Sequence, residues 1–186
     1  MDNRYRMEPK KRVELRDFAL QIRKSTGLDE RIYFPIVEFM EHMMPRMFDN
    51  YNFEIIEDNE LPPNKDAVTE IVNGYGTVKI KKHVYEGACN GNGQHRMTIA
   101  HEVVGHFIPI CVAVFSFYST TEDEYIPAYC DPEWQAKCIA AEFMMPFPKV
   151  GNLTPKELII QCGVSKKAAE YQRKIYRELI RGGGEL

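Results

Sequence analysis

The stretch TIAHEVVGHFI, Thr98–Ile108, decides how the rest of this chain is read. It has helical character and carries two histidines, His101 and His106, with Glu102 directly after the first. On an α-helix, residues four apart stand about 40° apart around the axis, so two histidines at that spacing can grip one ion. A glutamate after the first is then placed to act as a general base. Here the histidines are five apart. On a regular helix that turns them about 140° from each other, too far to share an ion. A π-bulge repairs this, because one widened turn makes five residues do the work of four. Pro109 adds to the case. It offers no N–H to the carbonyl of Gly105 and its ring clashes there, so the helical ladder is disturbed beside His106. Gly105 also bends easily. Two outcomes stay open: an i→i+5 turn that reunites the histidines, or a helix that has lost its ion.

A zinc site needs a third protein ligand and an open position. CDPEWQAKCIAAEFMMP, Cys130–Pro146, reads as a helix that can supply the ligand. Asp131 suits the N-cap, Pro132 the first helical position, and Pro146 the end. Glu133 stands in the first turn and is the candidate third ligand. Metal ligands are thus His101, His106 and Glu133, with Glu102 as the catalytic base and zinc as the expected ion.

Around these two helices the pattern is mixed. Val13–Lys24 has apolar residues near helical period, with Gly27 as a stop. Pro35 opens a second helix whose Met-rich stripe, Met40, Met43 and Met44, reads as core packing. Tyr51–Glu57 is strand-like. AVTEIV and TVKIKK read as two strands joined at Asn73–Gly76, the best hairpin signal in the chain. HVYEGA is a short helix, and Cys89–Gln94 a Gly/Asn loop before the histidine helix. Ser119–Tyr125 is acidic and reads as a surface loop. Leu153–Ile180 reads as two helices, with Thr154 and Ser165 as caps and Gly163 as the stop between them. The class is α+β: mostly helical, with a small sheet of about three strands before the histidine helix. Residues 1–152 form the main domain. Residues 153–186 form a helical extension with weak helix-turn-helix character, packed as part of the same domain and ending in a frayed GGGEL tail.

Composition excludes several classes. With 44% apolar and 27% charged residues the chain is an ordinary globular sequence, and a net charge of −3 is not that of a nucleic-acid polycation. The N-terminal residues contain no apolar signal-peptide core. The longest apolar run, Phe107 to Tyr118, is too short to span a bilayer. Five cysteines, an odd count with no C-x-x-C pair, read as free thiols in a reducing cytoplasm.

RMTIAHEVVGHFI (Arg96–Ile108) and DPEWQAKCIAAEFMMP (Asp131–Pro146), in that order, resemble the two signature segments of the ImmA/IrrE metallo-endopeptidases. Glu133 falls on that family's ligand glutamate, and Ala136, Ala140, Ala141 and Pro146 on other positions of its second segment. The resemblance covers roughly Ala67 to Tyr171. It implies a zincin-like fold, a zinc site and peptidase chemistry on a cytoplasmic protein, such as a helix-turn-helix regulator of a phage or mobile element. The sequence departs from the family twice, at the inserted residue and at Lys137. The family has Asn or Asp there, beside the metal ligands. Lys137 cannot accept a hydrogen bond from a ligand histidine, and its ammonium is placed to pair with Glu133 and compete with the ion.

The expected activity is zinc-dependent hydrolysis of a peptide bond. His95, Tyr118, Tyr125 and Tyr129 are candidates by type for stabilising the oxyanion. A second reading is a zincin-fold protein that has lost catalysis and binds a regulatory or toxin partner. A third is a DNA-binding regulator using the C-terminal helices, where Lys166, Lys167, Arg173, Lys174 and Arg177 make the last helix basic; solvated charge is the simpler account of that face.

Overall fold

A computed structural model describes residues 4–112, 117–120 and 125–182. The middle of the acidic segment and the GGGEL tail after Gly182 lie outside the described residues. The chain is α+β, mostly helical, with a three-stranded mixed sheet.

Helix α1 (Arg12–Ser25) buries Leu15, Ala19 and Ile22. After it come α2 (Ile36–Glu38), a π-helical segment Phe39–Met43, and α3 (Met44–Met47). Met40 and Met44 are fully buried, so the methionine stripe is core. The sheet follows: β2 (Tyr51–Ile56), β3 (Ala67–Val72) and β4 (Tyr75–Lys81). β4 lies in the centre, parallel to β2 and antiparallel to β3. The β3–β4 turn is Asn73-Gly74, with φ of 52° and 82°. Positive φ at both central residues is what a tight type I′ hairpin requires, and Asn-Gly accepts it.

Helix α4 (Lys82–Cys89) leads to α5 (Gly93–Ala100), capped by the Asn92 side chain, which accepts from the backbone N–H groups of Gln94 and His95. The same helix continues as a π segment, His101–Phe107, and ends as α6 (Ile108–Cys111). A strand pair not foreseen from the pattern joins β1 (Arg4–Met7) to β5 (Phe117–Thr120) in antiparallel register. Ser119 and Thr120, expected in a loop, belong to that strand. Neither strand is long enough to show period-2 alternation, which is why the pairing is illegible locally.

Helix α7 (Pro132–Met144) is the central packing element. Ala136, Ile139, Ala140 and Phe143 are buried on it, between α1 on one side and the π segment on the other. Phe34 packs edge-on to both Phe39 and Phe143, with Phe34 and Phe143 centroids 4.4 Å apart, and Phe39 and Phe143 are tilted to each other. After α8 (Phe147–Val150), α9 (Pro155–Cys162) begins in a capping box between Thr154 and Glu157, and ends at Gly163 in the left-handed conformation. Ser165 then caps α10 (Lys166–Arg181).

The C-terminal helices share the core of the rest: Leu158, Cys162, Ala169, Tyr176 and Leu179 are buried in it. Arg96, on α5, fastens the turn between them. Its Nε donates to the Gly163 carbonyl at 2.8 Å and Nη2 to the Phe34 carbonyl at 2.7 Å, with the guanidinium 4.0 Å over the Tyr33 ring. On α10, Arg173 donates to the Gly151 carbonyl and Lys166 lies 3.8 Å from Glu170. Two of the five cations that made this helix look basic are therefore engaged within the molecule.

Among the described residues, no helix is long and apolar enough to cross a membrane. Cys138 and Cys162 are buried and free, and burial pushes both thiols up to about 11, so they act as small hydrophobes.

Candidate metal centre

The turn that decides the site is the π segment. Its last backbone bond runs from Ile108 N–H to the Val103 carbonyl, an i→i+5 closure. The next donor in the chain would be residue 109, a proline, which has none. The other π segment ends the same way: Met44 N–H donates to the Phe39 carbonyl, and Pro45 follows. In a regular helix each proline ring would press on the carbonyl four residues back. Widening the turn by one residue removes that contact in both places. Pro109 is thus part of the cause of the bulge.

The bulge brings His101 and His106 onto one face. Their Nε2 atoms are 3.1 Å apart, with the rings edge-on and 4.6 Å between centroids. Asp131 caps α7 by accepting from the Glu133 N–H at 2.9 Å, which fixes the first turn where Glu133 stands. The Glu133 carboxylate straddles the pair: Oε2 is 3.3 Å from His101 Nε2, and Oε1 is 3.2 Å from His106 Nε2. Hydrogen bonds from the two imidazoles, foremost that of His101, hold the Glu133 carboxyl far below the usual carboxylate range, against the opposing effect of burial. At His106, burial works against the charged form. The hydrogen bond to Glu133 and the charges of Glu102 and Glu133 outweigh it, so the His106 pKa is raised.

These separations can be tested against an ion. A tetrahedral centre with bonds of about 2.0–2.2 Å sets its ligand atoms roughly 3.3–3.6 Å apart. The Nε2 pair, 3.1 Å apart, is within a few tenths of that, and Glu133 approaches the pair with a different oxygen on each side, at 3.2 and 3.3 Å. The donor set, two imidazoles and a carboxylate, is one that zinc accepts. His101, Glu102 and His106 form a group that could hold a metal ion, with one candidate donor atom of each within 4.8 Å of the others.

Glu102 is almost fully buried. Its Oε2 accepts the Thr69 hydroxyl at 2.8 Å, across from β3. Among the described residues, its other oxygen has no protein partner. Glu102, both histidines and Glu133 open into a cleft of about 520 Å³, walled by residues 64–69 on one side and Thr98 and Ile110 on the other. None of His95, Tyr118, Tyr125 and Tyr129 lines this cleft. His95 packs edge-on to His83 instead, Tyr118 faces a separate apolar recess beside Arg6 and Pro9, and Tyr125 and Tyr129 are exposed. Thr69 is the site residue that sequence reading misses. It is 33 positions from Glu102, and only the tertiary packing of β3 on the π segment joins them.

Lys137 stands one turn after Glu133, with Nζ 3.7 Å from Glu133 Oε2. Both side chains are more than half exposed, so water screens the pair. At this separation in water the attraction is about 1 kcal/mol at most. Lys137→Asn is expected to tighten metal binding about two- to five-fold, measured by competition with a chromophoric chelator. Weaker binding in that variant would show that Lys137 supports the site.

Comparison with known proteins finds no family model and no curated relative that matches this chain.

Proposed function

We propose that this protein is a zinc-dependent metallopeptidase that hydrolyses a peptide bond in a cytoplasmic protein, in keeping with the ImmA/IrrE-like segments of its sequence. The observation that carries the reading is the convergence of His101, His106 and Glu133 to within 3.1–3.3 Å of one another across a π turn. The fit of that donor set favours zinc. Held there, zinc would supply Lewis acidity and lower the pKa of a water it binds to near neutrality.

The chain's own residues do the rest. Asp131 and the α7 cap hold Glu133 in place. Glu102 keeps one carboxylate oxygen on Thr69 and leaves the other for a proton. It takes that proton from the attacking water and delivers it to the departing amine. The cleft is large enough to seat several residues of an extended peptide, and its wall is the edge strand β3.

The reading of a catalytically impaired relative rests on the histidine spacing and on Lys137; the 3.1 Å approach of the two imidazoles speaks against the first ground, while Lys137 does stand beside Glu133. The test is metal content followed by turnover. Protein purified without chelator is expected to carry about one equivalent of zinc, and His106→Ala to carry none. On a peptide library read by mass spectrometry, Glu102→Gln is expected to keep the metal and lose activity by about 10²- to 10⁴-fold. Less than a tenth of an equivalent of metal in the unmodified protein would sink the reading. Full metal with no cleaved peptide would favour a binding protein on the same frame.

A further inference from the structure

The centre offers more protein donors than an open site should use. His101, His106, Glu133 and Glu102 together make four, and four protein ligands close a tetrahedral zinc site and leave no room for a reactant. The Glu102 carboxylate has a candidate donor atom within 4.8 Å of those of both histidines. It is buried, and a carboxylate removed from water needs a partner. The ion is one such partner. Something must keep Glu102 from taking it.

We infer that Thr69 is a positioning residue that holds Glu102 off the metal and so keeps the fourth coordination position open. Its hydroxyl donates to Glu102 Oε2 at 2.8 Å. The same hydroxyl oxygen lies 3.2 Å from the Glu102 backbone carbonyl, which places it across the base of that side chain as well as at its tip. A hydrogen bond to a carboxylate is among the stronger kinds, and this one sits part-buried at the wall of the cleft. Thr69 is set by the sheet. β3 is hydrogen-bonded to β4 along its length, with Thr69 opposite Val78, and Val78 is fully buried. The hydroxyl is therefore presented by a fixed strand rather than by a loop. No other side chain among the described residues donates to Glu102, so the role falls on Thr69 alone.

This inference rests on the metal-site reading above, and its test separates the two. The probe is Co²⁺ in place of zinc, with thiocyanate as an added ligand. In the unmodified protein, thiocyanate is expected to change the cobalt absorption spectrum, because a position is open. Thr69→Val keeps the shape and removes the hydroxyl, so Glu102 is free to swing onto the ion. That variant is expected to bind Co²⁺ at least ten-fold more tightly and to lose the thiocyanate response. Thr69→Ser, which restores the hydroxyl, should return both properties. Adding Glu102→Gln to Thr69→Val should abolish the gain in affinity, since the extra ligand is then gone. A thermal melt checks that each variant is folded, and an unfolded Thr69→Val passes the question to Thr69→Ala with the same readouts. Unchanged affinity and an unchanged thiocyanate response in a folded variant that lacks the hydroxyl would overturn the role of Thr69 while leaving the metal site standing. A protein that takes up no Co²⁺ at all would overturn both.

Discussion

Glu142→Ala is expected to destabilise the protein by about 3–5 kcal/mol, the range for leaving a buried ionic group without its partner. Glu142 is wholly buried on α7 and gathers donors from two other helices. Arg12 Nε reaches its Oε1 at 3.2 Å, Arg16 Nε its Oε2 at 3.1 Å, and Gln172 Nε2 its Oε1 at 2.9 Å. Arg12 also donates to Gln172 Oε1 at 2.7 Å. Two buried guanidinium groups therefore share one carboxylate; alanine removes the counter-charge of both, leaving Arg12 its bond to Gln172 and taking from Arg16 the carboxylate its hydrogen bonds go to. For a domain of this size the loss corresponds to a fall in Tm of about 6–20 °C. Glu142→Gln keeps an acceptor and the shape but not the charge, and should fall between. Circular dichroism melts decide it. A drop below about 3 °C for Glu142→Ala would mean that water reaches the arginines and that the network is not sealed. The consequence reaches the candidate metal centre, because this cluster clamps the far end of the helix whose first turn carries Glu133.

Much of this was legible in the sequence, and the limits have physical reasons. Caps and breakers are local, so Asp131, Pro132, Thr154, Gly163 and Ser165 mark helix ends correctly. The Asn73-Gly74 turn is likewise a local signal. The i→i+5 turn at His101–Phe107 is one of the two outcomes the sequence leaves open, and the five-residue histidine spacing and Pro109 point to it. The segment Phe39–Met43 carries the same signal at Pro45, but there the methionine stripe alone suggests an unbroken helix. What stayed hidden depends on contacts between distant residues. Glu142 sits in an apolar run, and its burial is explained only by arginines on a helix 126 to 130 positions away. Thr69 is ordinary in a strand until β3 is laid against the π segment. The tyrosines proposed by type lie near the motif in sequence and outside the cleft in space.

Gly105→Ala is expected to reverse the usual helix preference. In an exposed helix interior, alanine is more favourable than glycine by about 1 kcal/mol. Here a Cβ on residue 105 would lie 2.6 Å from the carbonyl oxygen of Ala136 and 3.0 Å from its carbonyl carbon and Cα. Those are backbone atoms of α7 and cannot rotate aside. Gly105 is therefore needed for the close approach of two helices, which is a stricter demand than the bending expected from its sequence context. To admit the methyl group, α7 must move away from the π segment, and Glu133, three residues before Ala136, moves with it. Overpacking of this kind costs about 1–3 kcal/mol. The larger effect falls on the metal, since Glu133 has to stay within 3.2–3.3 Å of both imidazoles. Metal affinity is expected to fall by about ten-fold or more, one pair of atoms at a time being enough to lose a ligand. Val104→Ala serves as the comparison. Val104 is fully buried, so its truncation also destabilises, but it leaves a cavity and pushes nothing. If affinity tracked stability alone, the two variants would lose metal in proportion to their loss of Tm. The geometry requires them to part: Val104→Ala keeps metal at reduced stability, and Gly105→Ala loses it. Equal affinities in the two folded variants would show that Glu133 can follow the histidines, and that the spacing between these two helices does not set the centre.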